Sequence, residues 1–541
     1  MTRSLFAAAL AGALIAVGGA PLEFSFLTWL APCCLLFAIE PLDGEVTSSR
    51  AALWMGLTTG FTSNLISMYW IVGLLDQFAG FPTALSVLVG SLLWFGQAIS
   101  YGLATWLAAV FMRRGLPGWI ALPAALTVAA SLTPSIFPWR YGLSQLPFLE
   151  YAQVAELGGL PLLDWLVATI GCGLLAGLRA RSRAAQLLAL AAMVLPPLFG
   201  LARLPSVRAA RAAAPILRVG VTQPNVSIKD KHDPARFLDQ LHLLQDQTRS
   251  LEEEGAQLVI WPETAYRFPI LRGTTRDRVG PLALLNRGAH GPLIVGVLTT
   301  AGRAQSFVAS DGLGRRLTSF RMAQGQRFNS AIAVDREGRI VGTADKVNPL
   351  AFGEYTPLWE LIPWLQVFPR GISPGAGPQQ LTIAGARIGV LNCYEDLLYE
   401  HVRAQARYRP ELWVNVTNNA WFGDTTAPLL HHMNARLRAI ETRRDLVRSV
   451  NTGVSGHTAS TGEDLARTGQ FVRARFVADA RLLSGVTLYV WAGDWVTPSL
   501  MGGLFGFGLF CWRTRRIPER RPRARTSPRR PIHKRAEHEE E

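Results

Sequence analysis

The sequence predicts a polytopic α-helical membrane domain of about eight spans joined to an extracytoplasmic α/β domain. Three observations predict it. Hydrophobic residues make up 49% of the 541 residues and charged residues only 17%, whereas an average soluble chain is roughly 25% charged. The apolar residues are concentrated before residue 201 in long runs separated by short polar joints, and arginines mark several of these joints. This composition excludes a disordered chain, a fibrous protein and a disulfide scaffold, because apolar residues are abundant and cysteines number only five.

The predicted spans are long apolar runs, most of which approach the roughly 20 residues that cross a hydrocarbon core. Buried helices of a soluble domain are the alternative, but seven successive runs without an amphipathic stripe disfavour it. The first run resembles a signal peptide, yet more spans follow at once, so we interpret it as an uncleaved helix. The spans are residues 5–21, 26–39, 51–75, 83–111, 119–137, 160–178, 184–201 and 488–511.

Arginine placement predicts the orientation of these spans. With a cytoplasmic N-terminus, the inner joints carry Arg50, Arg113 with Arg114, and Arg179 with Arg181 and Arg183, as the positive-inside rule requires. The predicted domains are therefore the bundle of residues 1–201, an extracytoplasmic domain of residues 202–487, a last span of residues 488–512 and a disordered basic cytoplasmic tail of residues 513–541. The net charge of +15 then reflects topology, and we favour a solvated, lipid-facing tail over a nucleic-acid patch.

Between residue 215 and about residue 480, within the predicted domain of residues 202–487, the sequence changes to short β-rich runs that alternate with helical stretches. This pattern predicts an α/β domain. Several runs are continuously apolar, as expected for strands covered on both faces. The predicted helices are residues 237–254 and 429–445. The predicted strands are residues 216–222, 257–261, 293–298, 331–334, 340–343, 387–392 and 412–416.

Three chemically distinct side chains follow apolar strands. Glu263 follows LVIW, Lys346 follows the second strand of a hairpin, and Cys393 follows RIGVLN. The carboxyl ends of strands form the crevice where α/β sheets bind ligands. A thiol nucleophile, a carboxylate base and an ammonium that stabilises an oxyanion are the parts of acyl transfer. Backbone N–H groups after Cys393, beginning with Tyr394, are further candidate oxyanion donors.

Each residue alone has a structural alternative. A lone cysteine is more often a small core residue than a nucleophile, Glu263 alone is a turn residue, and Lys346 alone is a surface charge. Cys393 is, however, the only cysteine of the predicted exported domain, so an unpaired thiol there needs a reason. His431 and His432 lack a zinc-binding frame, and we predict no metal.

Five motifs surround these residues. They are Trp261-Pro262-Glu263-Thr264, Asp345-Lys346-Val347, Pro349 to Leu358, Cys393-Tyr394-Glu395 and Asn418-Asn419-Ala420-Trp421-Phe422-Gly423. The motifs resemble those of the nitrilase (carbon–nitrogen hydrolase) superfamily, and with the predicted spans the chain resembles the apolipoprotein N-acyltransferase family. The resemblance implies an α-β-β-α nitrilase-like sandwich, with Glu263 as base, Lys346 as the oxyanion-stabilising lysine and Cys393 as nucleophile. It also implies that Glu354, Tyr394 and Glu395 support the site.

The implied reaction moves an acyl chain from a phospholipid, through a Cys393 thioester, to the N-terminal amine of a diacylglyceryl-cysteine apolipoprotein. The implied protein is a monomer of the bacterial inner membrane with its catalytic domain on the periplasmic side. It needs no cofactor and has no nucleic-acid partner. The implied partners are the membrane, the phospholipid donor and the apolipoprotein acceptor.

The sequence departs from the family pattern at His232, where Trp is usual, at Asn419, where Asp is usual, and at Asn392, where an aliphatic residue is usual. At His232, the substitution affects a position where the resemblance implies a lid or a contact with lipid. Two other functions stay open. One is a membrane-tethered amidase that hydrolyses a small amide with the same triad. The other is a non-enzymatic receptor, which retention of all three side chains disfavours.

Overall fold

The structure is a computed structural model that describes residues 2–41, 44–180, 182–310, 316–357 and 371–514. The predicted tail lies outside these residues from position 515 onward, as do Arg181 and Leu358. The amino-terminal part is helical. Its helices are α1 (Thr2–Val17), α2 (Leu27–Ile39), α3 (Ser49–Ser67), α4 (Ile71–Ala79), α5 (Thr83–Met112), α6 (Gly118–Leu132), α7 (Leu149–Ala152), α8 (Ala155–Ala180) and α9 (Arg183–Ala213).

Within the described residues, α5, α8 and α9 are long and apolar enough to cross a membrane, while α1, α2 and α6 are apolar but shorter. Two predicted spans are interrupted. Residues 51–75 divide into α3 and α4, and residues 488–511 divide into α14 (Leu488–Ala492) and α15 (Val496–Arg513). The second break occurs at Gly493, whose φ of 79° suits glycine. A count of about eight spans therefore stays a prediction.

Small residues let the bundle helices approach closely. The buried core of this part is rich in alanine from α1, α3, α5 and α6. A Cβ atom at Gly56 of α3 would lie 2.2 Å from the carbonyl oxygen of Tyr101 in α5, so only glycine permits that contact. This is the packing expected where small residues, and not burial from water, bring apolar helices together.

The carboxyl-terminal part contains two six-stranded sheets that pack face to face. Their orders are β14-β1-β2-β3-β6-β7 and β13-β12-β11-β10-β9-β8, and β4 pairs with β5 separately. The strands are β1 (Ile216–Gln223), β2 (Leu258–Leu271), β3 (Leu293–Thr300), β4 (Arg303–Ser310), β5 (Arg316–Gln324), β6 (Arg327–Val334), β7 (Ile340–Asp345), β8 (Gln380–Ile383), β9 (Ala386–Asn392), β10 (Leu412–Thr417), β11 (Leu446–Val450), β12 (Gly456–Thr458), β13 (Asp464–Arg467) and β14 (Ala474–Arg481).

Alternate side chains of each sheet point in opposite directions. One set packs in a core between the two sheets, and the other set packs in a core beneath the covering helices. Val219 and Ile260 of the first sheet meet Ile388 and Val414 of the second between the sheets. The helix α11 (Phe237–Glu253) covers the outer face of the first sheet. The helices α12 (Tyr399–Ala406) and α13 (Ala427–Thr442) cover the second. The predicted α-β-β-α sandwich is confirmed. A further short helix, α10 (Ile228–His232), follows β1.

The strands that sequence patterns did not predict are polar or irregular. β11 has the sequence LVRSV and is buried throughout, although it contains Arg448. That guanidinium forms a buried ion pair with Asp396. A buried charge is tolerated only with such a partner, and the partner is distant in sequence, so periodicity alone conceals the strand.

The helix α13 joins the sandwich to the bundle. Ala435 and Ala439 face the second sheet, while Met433 and Leu437 pack in the core of the bundle. Beyond its carboxyl end, Arg443 donates to the Glu156 carboxylate of α8 at 2.6 Å. Both faces of α13 are therefore buried, which places the crevice of the sandwich against the helices.

Candidate active site

Cys393 lies directly after β9, as predicted, and starts a short 3-10 helix, Cys393–Leu397. Its φ is +53°, a conformation that non-glycine residues rarely adopt and that surrounding contacts must hold. One such contact is the amide of Asn415, which donates to the Cys393 carbonyl at 3.1 Å. The sharp turn directs the thiol into the crevice, where Cys393 lines a cavity together with Glu263 and Lys346.

Glu395 is buried and holds the backbone on both sides of the site. Its Oε1 accepts from the N–H groups of Val347 at 2.7 Å and Asn348 at 3.0 Å. Its Oε2 accepts from the N–H of Asn392 at 2.9 Å. One carboxylate therefore connects the residue before the nucleophile to the segment after Lys346.

Lys346 follows β7 directly and is buried between two carboxylates. Its Nζ lies 2.7 Å from Oε2 of Glu354 and 3.4 Å from Oε1 of Glu263. Burial lowers the pKa of Lys346, but the two carboxylates raise it more, and the net shift is well above the usual value. The ammonium therefore stays charged, which is the form that stabilises an oxyanion.

Glu263 does not follow a strand, and this part of the prediction was wrong. The strand β2 continues through it to Leu271, with an irregular register against β3 between Trp261 and Tyr266. The backbone of the irregular segment can lie close to β3 because β3 has a glycine, Gly296, at this position. A Cβ atom at Gly296 would lie 2.2 Å from the Pro262 carbonyl oxygen. This bulge aims the Glu263 side chain into the crevice, a common use of such irregularities.

Two residues that the sequence analysis missed position Glu263. The amide of Asn329 in β6 donates to Glu263 at 2.6 Å and to Glu354 at 2.9 Å. The buried Nζ of Lys231 donates to the main-chain oxygen of Glu263 at 2.8 Å, and burial, aided by Arg267, lowers the pKa of Lys231 to about 7. Asn329 lies inside a strand and Lys231 in a polar segment, so neither had a sequence signal.

The Cys393 thiol is protonated at rest. Burial, then the Glu263 charge, raises its pKa well above the usual value, while Lys346 acts in the opposite direction. A thiol in this setting needs a base to become a nucleophile, and two carboxylates, Glu263 and Glu354, line the same cavity. Tyr394 also lines the cavity, and burial raises its pKa to about 12, so its phenol stays neutral.

The cavity has a volume of about 630 Å³ and crosses the boundary between the two parts. Cys393, Glu263 and Lys346 line the cavity from the sandwich. Apolar side chains of the bundle, including Ile71 of α4 and Leu92 of α5, line it from the other part. Trp70 contacts Phe422 of the sandwich with ring centroids 4.9 Å apart. The arrangement can hold a long apolar group with its reactive end at the thiol.

His431 and His432 have protein partners. His431 contacts Asp396 at 2.7 Å and Asn419 at 3.1 Å, and His432 contacts Asp464 at 2.9 Å. Within the described part of the chain, no three His, Cys, Asp or Glu side chains converge as metal ligands. His232 lines the cavity beside Trp421, with ring centroids 6.1 Å apart. The histidine that replaces the tryptophan usual in the family therefore lines the cavity.

Comparison with known proteins identifies the family. A protein of Azotobacter vinelandii named apolipoprotein N-acyltransferase is 31% identical over 521 residues, covering 94% of this chain and 95% of that protein. The chain belongs to the apolipoprotein N-acyltransferase family. A protein of Geobacter metallireducens with the same name is 28% identical over 511 residues, covering 91% of this chain and 92% of that protein.

Two family models match successive parts of this family member. The model of the apolipoprotein N-acyltransferase N-terminal domain matches residues 11–173, and the carbon–nitrogen hydrolase model matches residues 218–474. Among solved structures, a mutant of the Nesterenkonia AN1 amidase from the nitrilase superfamily is 20% identical with a TM-score of 0.36. That match covers 54% of this chain and 99% of the amidase chain.

Proposed function

We propose that this protein is an N-acyltransferase that moves an acyl chain from a phospholipid to the N-terminal amine of a diacylglyceryl-cysteine apolipoprotein. The observation that carries the proposal is the cavity itself. The Cys393 thiol, the Lys346–Glu354–Glu263 cluster and apolar side chains of the bundle line the same cavity. Family membership supports the same reaction.

In the first half-reaction, Glu263 accepts the Cys393 proton and the sulfur attacks the ester carbonyl of the phospholipid. The carbonyl oxygen gains a negative charge, which the Lys346 ammonium stabilises. When the intermediate collapses, the ester C–O bond breaks. The departing lysophospholipid oxygen takes the proton from Glu263, and a Cys393 thioester remains.

In the second half-reaction, the apolipoprotein amine attacks the thioester carbonyl and Glu263 accepts a proton from the nitrogen. Lys346 stabilises the same oxyanion. The C–S bond then breaks, the sulfur recovers the proton, and an amide is released. Glu354 keeps Lys346 charged and in place, Glu395 fixes the backbone around Cys393, and Tyr394 borders the acyl group.

The proposed placement follows from the charge pattern. Residues 1–201 and 488–512 form the membrane part with about eight spans, residues 202–487 face the periplasm, and residues 513–541 return to the cytoplasm of a bacterial cell. A periplasm-dependent reporter fused after Ala213 should be active and one fused after Thr514 inactive. The reverse pattern would overturn this topology.

The test of the activity uses purified protein, phosphatidylethanolamine and a diacylglyceryl-cysteine peptide. The unaltered protein should convert the peptide to its N-acyl form and release lysophosphatidylethanolamine. Cys393→Ala should abolish both products, whereas Cys511→Ala, at the far end of α15, should retain them. Absence of N-acyl peptide, or full activity of Cys393→Ala, would refute the proposal. Release of a carboxylic acid from a soluble amide would favour the amidase alternative.

A further inference from the structure

Two arginines in the same cavity have no part in the chemistry described so far. Arg267 of β2 and Arg327 at the start of β6 both line the cavity that contains Cys393. Arg327 lies two residues before Asn329, and side chains two apart in a strand project from the same face, about 7 Å apart. Asn329 contacts both Glu263 and Glu354, so Arg327 lies on the catalytic side of the sheet.

The Arg267 guanidinium is incompletely satisfied. Its Nε is buried and has no hydrogen-bond acceptor among the described residues. Its Nη1 makes only a long contact of 3.5 Å to the Thr264 carbonyl oxygen, and its Cζ lies 5.2 Å from the centroid of the Phe237 ring. A buried guanidinium N–H without an acceptor is costly, so this group points to a ligand.

The two arginines also repel each other. Burial, then the nearby Arg327 charge, lowers the pKa of Arg267 to about 10. The carboxylates Glu263 and Glu354, which line the same cavity, contact Lys346 and Asn329. An anion placed between the guanidinium groups would relieve the repulsion, and a guanidinium matches the oxygen geometry of a phosphate.

We propose that Arg267 and Arg327 bind the phosphodiester of the donor phospholipid while its acyl chain occupies the apolar wall of the cavity. This inference rests on the proposed function and adds the site that recognises the donor. The chemistry fits because a glycerophospholipid joins its ester carbonyl to its phosphate through a short glycerol backbone. One such molecule could therefore place its phosphate at the two arginines and its ester carbonyl at Cys393, because all three residues line the same cavity.

Binding to the inactive Cys393→Ala protein in non-ionic detergent tests the proposal without turnover. Calorimetry would compare dihexanoylphosphatidylethanolamine with dihexanoylglycerol, which has the same esters and no phosphate. The Arg267→Gln/Arg327→Gln double variant should bind the phospholipid about tenfold more weakly and the diacylglycerol with less than about a twofold change. Arg336→Gln, an exposed turn arginine, is the matched control and should bind both as the parent does.

Three outcomes would overturn the phosphate site. The first is equal affinity of the parent for the two lipids. The second is an unchanged Kd for the phospholipid in the double variant, or equal weakening for both lipids. The third is inorganic phosphate binding as tightly as the phospholipid, which would indicate a site for free phosphate. If the double variant does not fold, Arg267→Lys replaces it. This substitution keeps the charge but removes the planar set of guanidinium donors, so it should weaken binding of the phospholipid by a smaller factor and leave binding of the diacylglycerol unchanged. Failure of the unaltered protein to acylate the peptide would instead refute the proposed function.

Discussion

The Nζ of Lys346 lies 2.7 Å from Glu354, closer than its 3.4 Å to Glu263. Glu263 exchanges a proton in the proposed mechanism, whereas Glu354 takes no part in the proton transfers. Glu354 also accepts from the Leu350 N–H at 2.7 Å, which fixes its position. The ammonium is therefore stabilised by a carboxylate that the reaction does not consume.

This relationship predicts the effect of Glu354→Gln. The carboxylates raise the pKa of Lys346 against burial, so removing one lowers it, and the lysine loses its proton at a lower pH. We expect kcat/KM to fall about 10²-fold and the alkaline limb of the pH–rate profile to move to lower pH. Glu337→Gln, in an exposed hairpin turn, should change neither. An unshifted alkaline limb would contradict the assignment.

A second prediction concerns Glu263 as the base. Burial is the largest cause of the raised thiol pKa and remains in Glu263→Gln, although the smaller contribution of the Glu263 charge is lost. Acylation of Cys393 by phospholipid should fall at least about 10²-fold. Iodoacetamide labelling of Cys393, followed by peptide mass spectrometry, should rise steadily with pH in the variant because the thiolate forms only near the raised pKa. Thioester formation at the unaltered rate would exclude Glu263 as the base.

A third prediction concerns Glu395, which accepts three backbone N–H groups. In Glu395→Gln an amide NH₂ replaces one oxygen, so at least one buried N–H loses its acceptor. The free energy of unfolding should decrease by about 1–3 kcal/mol, and kcat should fall more than KM changes. Denaturant titration and steady-state kinetics measure the two effects. Glu400→Gln on the exposed face of α12 is the control, and equal behaviour of both variants would count against the role.

A fourth prediction concerns the attachment of the sandwich to the bundle. Glu156 receives hydrogen bonds from Arg443 at 2.6 Å and Arg203 at 2.7 Å. Glu156→Gln leaves the buried Arg443 charge uncompensated and should destabilise the protein by roughly 3 kcal/mol. Glu463→Gln breaks the half-exposed pair with Arg208 and should cost less than about 1 kcal/mol. Thermal unfolding in detergent compares the variants, and similar Tm values would disprove the anchoring role.

Sequence patterns predicted the two-part architecture because hydrophobic runs and continuously apolar strands are local signals. They also predicted Lys346 and Cys393 directly after β7 and β9, because the end of an apolar strand is a local pattern that a single sequence shows. The prediction that Glu263 follows a strand was wrong, because Glu263 lies within β2 at a bulge that depends on Gly296 in a neighbouring strand. The apolar runs of residues 51–75 and 488–511 predict continuous spans, but the structure interrupts both, because the breaks depend on local backbone geometry and packing.

The sequence by itself determined the fold class, the presence of a thiol, an amine and carboxylates for acyl transfer, and the family to which these motifs belong. Only the tertiary structure decided how those groups meet. Asn329 donates hydrogen bonds to both Glu263 and Glu354. Glu395 connects the Cys393 turn to the segment after Lys346. The helix α13 packs against the bundle and so places the crevice beside it. The physical reason is that hydrogen bonds and buried charges act over a few ångströms, between residues that the chain separates widely.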